Sequence, residues 1–415
     1  MALFYLLISS MPFTEHPLFG AWVGVLTVTK YLGGLCLLYA VFLVAKRGRM
    51  PSFFNTLQAR WFAAFVVLAL TSFSLLGESS RLGTSPFALY FSLLLQFLIT
   101  CVFVDSVRRL RDVLLAEMAS IAFASLYVIR EWQVYHNIYP GFRPGFVVGD
   151  SNYFAVSVVV CLPISYYLIV LPGPRWQRLF TMGCMIITLT AFMLGASRGG
   201  FLGLTVASLF VVAHSRQRLR NLVALVAIIV PLSLAVPTSP IRRLISPDYS
   251  DDEAVAARRV AWQAGLRMIK THPMFGVGLG NFKPLSESYE DPDNVWISVA
   301  HNTYIELAAE LGIPGLLLFV SVLVTSFWAL RKVRNAARRV GHTFVGGAAL
   351  GLQSGLIGAA VALCFVSGQV EKIFWFNIFL TMCLPAAFAR ACAKRPKLEH
   401  GERVDTTPSL RLQTF

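Results

Sequence analysis

The amino-acid sequence predicts an all-α membrane protein that crosses the bilayer many times. Of its 415 residues, 56% are hydrophobic and only 14% are charged, and the mean hydropathy is +0.65. A soluble globular domain carries about 25% charged residues, so this chain has too little polar surface for water. Its 32 Phe, 13 Tyr and 8 Trp suit lipid contact and membrane interfaces. The composition therefore excludes a soluble enzyme and a disordered protein.

Apolar segments of bilayer length follow one another along the chain. A spanning helix needs about 20 mostly apolar residues. Eleven segments approach or reach this length: 22–45, 60–76, 86–104, 112–130, 151–171, 179–196, 199–213, 220–237, 312–330, 345–367 and 372–392. Residues 2–13 are a weaker twelfth candidate, because they are few and end at Pro12. We expect about 12 transmembrane helices, with both termini on the same side.

The positive charges predict how these helices are oriented. The chain has a net charge of +15, and 23 of its 36 Lys and Arg residues lie on one predicted side, in 46–60, 105–111, 172–178, 214–220, 331–342 and 390–415. Lys and Arg concentrate in the cytoplasmic loops of membrane proteins. This side is therefore predicted to be cytoplasmic. Because the basic clusters alternate with apolar segments, they indicate topology rather than a nucleic-acid partner.

The same pattern divides the chain into four parts. Residues 1–237 form N-terminal membrane helices with a smaller outer loop at 131–150, residues 238–311 form one large outer loop, residues 312–392 return to the membrane, and 393–415 form a polar tail predicted to be disordered.

The N-terminus lacks a basic start and a small-residue cleavage site, so no cleavable signal peptide is expected. The seven cysteines lie in or beside apolar stretches, so neither disulfides nor a metal site is expected.

The large outer loop holds most of the polar motifs. Residues 254–270 read as a helix that Pro273 ends. Glycines follow at positions 276, 278 and 280, and this alternation predicts either a tight re-entrant turn or a turn whose glycines contact a ligand directly. The acidic runs 251–253 and 291–293 are interpreted as solvated loop charge, since neither supplies an octahedral ligand set.

Four arginines are predicted at this outer surface. Arg198 lies in a tight link between two apolar segments, Arg258 and Arg259 lie on the outer helix, and Arg143 lies in the smaller loop. An arginine at hydrocarbon depth costs about 2.5–3.5 kcal/mol, so it snorkels to the interface, pairs or binds an anion. The guanidinium fork fits phosphate oxygens, which makes a diphosphate the ligand that these residues suit best.

His301 lies just before a helix that returns to the membrane. At this boundary its imidazole can serve as a general base or as a structural hydrogen-bonding group. Glu306 and Glu310 follow it and are candidates for orienting it or for binding sugar. Two further charges fall inside apolar segments: Glu117 is expected to snorkel to the cytoplasmic boundary, and the role of Lys30 stays open.

The order of these motifs resembles a known family. The chain contains Ser197-Arg198-Gly199-Gly200, then Arg259-x-x-Trp262, then His272-Pro273-x-x-Gly276-x-Gly278-x-Gly280-x-Phe282, and then Ala300-His301-Asn302-x-Tyr304-x-Glu306-x-x-x-Glu310. This set, over about residues 190–330, resembles the O-antigen ligase and polymerase superfamily of bacterial inner-membrane glycosyltransferases. The members that resemble this chain in length and topology are the O-antigen ligases proper, also called lipid A–core:surface polymer ligases.

The resemblance implies both a fold and a reaction. The fold would be of the GT-C type, multi-pass in the bacterial inner membrane, with its active site facing the periplasm. The reaction would be an inverting, metal-independent transfer of O-antigen from undecaprenyl diphosphate to a lipid A–core hydroxyl, without a cofactor. His301 would be the general base, and Arg198 and Arg259 would stabilise the diphosphate. Arg258 is the alternative to Arg259 as the second arginine of the motif. The substrate-binding candidates are Arg143, Arg258, Asn302, Glu306 and Trp262.

Other readings remain open at this point. An O-antigen polymerase would use the same donor with a second lipid-linked glycan as acceptor, and a protein O-oligosaccharyltransferase is a further relative. From another class, a lipid-linked glycan transporter also suits about 12 helices. The concentration of polar motifs in one outer loop, rather than at the bilayer midplane, favours an enzyme.

Overall fold

The computed structural model describes residues 1–13, 27–48, 56–76, 86–139, 142–145, 150–215, 217–235, 252–290 and 299–393. In these parts the regular structure is helical and contains no strand. The helices are α1 (Ala2–Ser10), α2 (Val28–Arg47), α3 (Leu57–Leu76), α4 (Pro86–Phe103), α5 (Val107–Tyr135), α6 (Ser151–Val170), α7 (Arg175–Leu194), α8 (Arg198–His214), α9 (Arg218–Ala235), α10 (Asp252–Thr271), α11 (Phe282–Tyr289), α12 (Thr303–Arg339), α13 (Thr343–Ala362) and α14 (Lys372–Ala393).

Each of the eleven predicted segments overlaps one of these helices in its described residues, which confirms an all-α, multi-pass membrane protein. Within the described residues, nine helices are long and apolar enough to cross a bilayer. Helix α8 has 17 residues and α9 has 18. Helix α1 has nine residues, about 14 Å of rise, which is too short to span. The total of about 12 spans therefore stays a prediction.

One end of the helix bundle gathers paired charges, and we call it the basic face. Asp105 bridges Arg109 at 2.7 Å and Arg47 at 3.3 Å, while Arg390 Nη1 donates to the Asp105 carbonyl oxygen at 3.0 Å. The ring of Phe4 stacks on that of Phe103 at 4.8 Å, so α1 begins towards this end. The opposite end, where α6, α8, α10 and α12 begin, is called the site face.

Helix α13 lies at the centre of the bundle, against α6, α8 and α12. Its glycines allow backbones to touch: a Cβ on Gly355 would lie 2.5 Å from the carbonyl oxygen of Val160, and one on Gly203 would lie 2.5 Å from that of Gly358. Close approach through small residues is how membrane helices gain packing energy without a hydrophobic driving force. This packing fixes the start of α6 and α8 at the site face.

Glu117 does not snorkel, and that expectation is wrong. Its side chain is fully buried and accepts hydrogen bonds from Asn377 Nδ2 at 2.6 Å and from Cys161 Sγ at 3.5 Å. Helix α5 begins at Val107 rather than near residue 112, so Glu117 lies about 15 Å along the helix, where it faces α6 and α14.

The outer segment folds as a small unit with its own core. Helices α10 and α11 and the start of α12 bury Met268, Val277, Phe282, Ala300 and Ala309 together. We call residues 252–290 and 299–311 the outer unit. The predicted helix 254–270 is confirmed as α10, whereas the acidic runs around 251 and 291 lie mainly outside the described residues.

Candidate functional site

A break in α12 anchors the glycine-rich turn of the outer unit. Gly312 has φ 70° and ψ −179°, which is not helical, so carbonyl groups just before it are free to accept other partners. The N–H of Val277 donates to the Ala309 oxygen at 2.8 Å, and that of Gly278 donates to the Glu310 oxygen at 3.0 Å. A Cβ on Gly276 would lie 2.3 Å from the Glu310 carbonyl carbon. The glycines therefore serve close packing against protein.

The same turn docks on the membrane helices. The N–H of Leu279 donates to Ser72 Oγ at 3.1 Å, and Asn281 Nδ2 donates to the Leu76 oxygen at 2.8 Å. The carboxylate of Glu310 accepts the N–H of Phe282 at 3.2 Å. Glu310 thus holds the turn in place, rather than orienting His301 as a neighbour.

His301 is held by its backbone neighbours. Trp262 Nε1 donates to the Ala300 oxygen at 2.8 Å, and the Ala300 N–H donates to Glu306 Oε2 at 3.1 Å. Asn302 Oδ1 caps α12 by accepting the N–H groups of Tyr304 at 3.0 Å and of the next residue at 3.1 Å. Its φ of 46° places His301 in the left-handed region, and its side chain is half-buried. The chain on both sides therefore fixes the backbone that carries the imidazole.

Glu306 connects this segment to the loop before α14. Its buried carboxylate accepts hydrogen bonds from the Ser367 hydroxyl and, at 2.6 Å, from Gln369 Nε2. Thr303 strengthens the junction, because its hydroxyl donates to the Val366 oxygen at 2.7 Å. Glu306 and Asn302, which the sequence suggested as substrate-binding residues, have structural partners here, and so does Trp262.

A second cluster surrounds the start of α8. Arg143 Nε donates to the Gly195 oxygen at 3.2 Å, and Arg143 Nη2 donates to Asn152 Oδ1 at 3.2 Å. Asn152 Oδ1 also accepts from Ser197 Oγ at 2.8 Å, while Ser197 caps α8. Arg198 is the first residue of α8 and is half-buried. Helix N-termini favour anions, so two predicted arginines meet where the backbone also attracts negative charge.

The two arginines of α10 lie on different sides of the helix. Arg258 is partly buried and shares a side with Ala261, Gly265 and Met268, which are buried at helical spacing. Arg259 is exposed, one residue further round. Arg258, the predicted alternative to Arg259, therefore faces the interior of the outer unit. The exposed position of Arg259 does not support its predicted role in stabilising the diphosphate.

Charges around His301 connect the clusters. Burial lowers the pKa of the His301 imidazole below its ordinary value, and the positive charge of Arg258 lowers this pKa further. The negative charge of Asp150 acts in the opposite direction and raises it. Asp150 caps α6 and accepts the N–H of Asn152 at 2.6 Å. Asp150 is therefore connected to Arg143 through Asn152 by hydrogen bonds, and it acts on His301 through its charge.

Sequence reasoning missed Asp150, Asn152, Ser367 and Gln369. A signal existed for the first two, because Asp150-Ser151-Asn152 precedes an apolar run as a helix cap does. Gln369 and Ser367 lie more than 60 residues from their partner Glu306, and nothing in their local sequence indicated the contact.

The fold and site define a multi-pass, all-α membrane protein with arginines and a histidine gathered at one face. Comparison with known proteins gives two matches, each to part of the chain. Residues 183–320 match the family model described as O-antigen ligase. A stretch of 98 residues is 30% identical to the exopolysaccharide production protein ExoQ of Rhizobium meliloti (strain 1021), covering 21% of this chain and 22% of that protein. Both matches support membership of the O-antigen ligase/polymerase superfamily, although the family model covers about a third of the chain and the chain spans about a fifth of the length of the relative.

Proposed function

We propose that this protein is an inverting glycosyltransferase of the O-antigen ligase type. It transfers a polysaccharide from undecaprenyl diphosphate to a sugar hydroxyl of lipid A–core. The observation that carries the proposal is the position of His301, which is held by its backbone within electrostatic range of Arg258 and Asp150. The family match, which covers both α8 and the His301 segment, supports the same chemistry.

His301 is the proposed general base. A sugar hydroxyl is a poor nucleophile until its proton is accepted as the new bond forms. The lowered pKa keeps the imidazole neutral at physiological pH, so it is available to accept that proton. Direct displacement, with the base opposite the leaving group, inverts the anomeric centre.

Arg258, Arg198 and Arg143 are the proposed diphosphate ligands. The leaving group gains negative charge as the glycosidic bond breaks, and fixed cations stabilise that charge most when they are already in position. Arg198 begins α8, Arg143 donates to the Gly195 oxygen just before it, and the charge of Arg258 acts on His301. We propose that they supply the charge that a metal ion would provide, so the reaction needs no metal.

The site is proposed to face the periplasm of a bacterial inner membrane. The basic face carries the loops that are rich in Lys and Arg, and such loops remain in the cytoplasm. The site face, with the outer unit, then lies on the opposite side, where lipid-linked glycans and lipid A–core meet.

The polymerase alternative uses the same site. The relative's name refers to exopolysaccharide production, so the undecaprenyl-diphosphate donors used in the test carry either an O-antigen glycan or an exopolysaccharide glycan. The experiment incubates purified protein in EDTA with undecaprenyl-diphosphate glycan, with and without lipid A–core. Glycan-capped lipid A–core supports the ligase. Lengthening of the donor glycan alone supports the polymerase, and no transfer in either reaction contradicts both.

A further inference from the structure

A buried arginine lies at the basic face, far along α12 from the proposed active site. Arg334 is 6% exposed, and its Nε and Nη1 atoms are buried with no hydrogen-bond partner in the described part of the chain. Within the same part, no Asp or Glu oxygen lies within 4.0 Å of its guanidinium. A buried unpaired charge is strongly unfavourable, so an anion from outside the chain would stabilise it.

Two more arginines flank Arg334 at helical spacing. Arg331 lies three residues before it and Arg338 lies four residues after it, so all three share one side of α12. Both flanking side chains are exposed, and the guanidinium of Arg331 lies 5.2 Å from the ring centroid of Trp328. Three guanidinium groups within two helical turns match the oxygens of a phosphate group.

The same side of α12 is apolar towards the membrane interior. Leu317 is 59% exposed, Val324 is 47% exposed and Trp328 is 50% exposed. Residues 317, 324, 331 and 338 follow a seven-residue spacing, so they form one nearly straight stripe along the helix. The stripe begins with side chains that suit acyl chains and ends, past an interfacial tryptophan, with the arginines.

We propose that this stripe binds an anionic phospholipid from the leaflet at the basic face. The headgroup phosphate contacts Arg331, Arg334 and Arg338, and an acyl chain lies along Leu317 and Val324. Since Arg334 is only 6% exposed, its contact with a headgroup requires neighbouring side chains to move apart. The site is independent of the proposed glycosyl transfer, which takes place at the other face.

Lipid binding to the purified full-length protein tests this proposal. Native mass spectrometry and thermal unfolding would follow titration with phosphatidylglycerol, with phosphatidylcholine and with inorganic phosphate. We expect phosphatidylglycerol to bind and to raise the unfolding temperature, and the other two to have little effect. We expect Arg334→Gln to weaken phosphatidylglycerol binding about 10-fold, as the loss of a charge-assisted hydrogen bond predicts. The exposed Arg339→Gln change removes the same charge from the same helix end and should leave binding unchanged.

A second variant avoids any dependence on the folding of Arg334→Gln. The double change Arg331→Gln and Arg338→Gln alters only exposed side chains and should weaken phosphatidylglycerol binding at least as much. Equal binding by this double variant and by Arg339→Gln would overturn the proposal, and so would equal binding of the two lipids by wild type. Stabilisation by inorganic phosphate as large as that by phosphatidylglycerol would show a free-phosphate site and overturn the lipid assignment.

Discussion

The indole Nε1 of Trp262 donates a 2.8 Å hydrogen bond to the carbonyl oxygen of Ala300. Ala300 is fully buried and directly precedes His301, so one side chain of the outer helix fixes the backbone that carries the proposed base. The sequence predicts Trp262 as a substrate-binding residue, whereas in the structure its polar atom holds the backbone next to His301.

Trp262→Phe should therefore lower kcat more than it raises KM. The change keeps most of the ring but leaves a buried carbonyl without its donor, which costs about 1–3 kcal/mol locally. Steady-state transfer kinetics, with unfolding followed in parallel, measure both effects. Trp176→Phe is the control, because Trp176 is 63% exposed and its loss should change neither. A pure rise in KM would indicate substrate contact instead.

Arg258→Gln should reduce transfer at least about 10-fold more than Arg259→Gln. The two variants remove the same charge from adjacent positions, but Arg258 acts on His301 whereas Arg259 is exposed. Donor turnover under identical conditions measures the difference. Equal losses, or a larger loss for Arg259→Gln, would return the diphosphate role to Arg259.

The acid side of the pH–rate profile should move to lower pH in Asp150→Asn. The proposed base acts when neutral, so transfer falls as pH drops through the pKa of His301. Asp150 raises that pKa, and removing its charge lowers it, while asparagine can still cap α6. In Arg258→Gln the same limb should move to higher pH, because a charge that lowers the pKa is lost. Shifts in the same direction in both variants would contradict this electrostatic picture.

The sequence predicts some parts of the fold and of the candidate site, and it does not predict others. Helices such as α6 and α14 follow from apolar runs of spanning length, and the outer helix α10 follows from its position before Pro273. The choice between Arg258 and Arg259 depends on which side of α10 packs inward, and the sequence left this open because apolar residues such as Leu266, which is 58% exposed, occur on more than one side of the helix. The partners of Arg143 and Glu306 depend on how distant segments meet at the site face, which no local pattern encodes.

The break at Gly312 was also beyond the sequence pattern, which began a membrane helix there. Gly312→Ala should destabilise the protein by roughly 1–2 kcal/mol or more, because alanine disfavours φ 70° and its Cβ would lie 2.5 Å from the Met274 oxygen. Thermal unfolding in detergent measures this. Gly183→Ala, in α7 with no atom within 4 Å of the new Cβ, should be neutral or stabilising. Similar behaviour of the two variants would mean that the break does not need glycine.

The most direct test of the proposed mechanism is glycan transfer by His301→Asn in EDTA. Asparagine tolerates the left-handed backbone that His301 adopts at φ 46°, but it cannot serve as a base. We predict that wild type extends lipid A–core, and that the variant still binds the undecaprenyl-diphosphate donor but transfers at least about 100-fold more slowly. Transfer by the folded variant at the wild-type rate would contradict the assignment of His301 as the base.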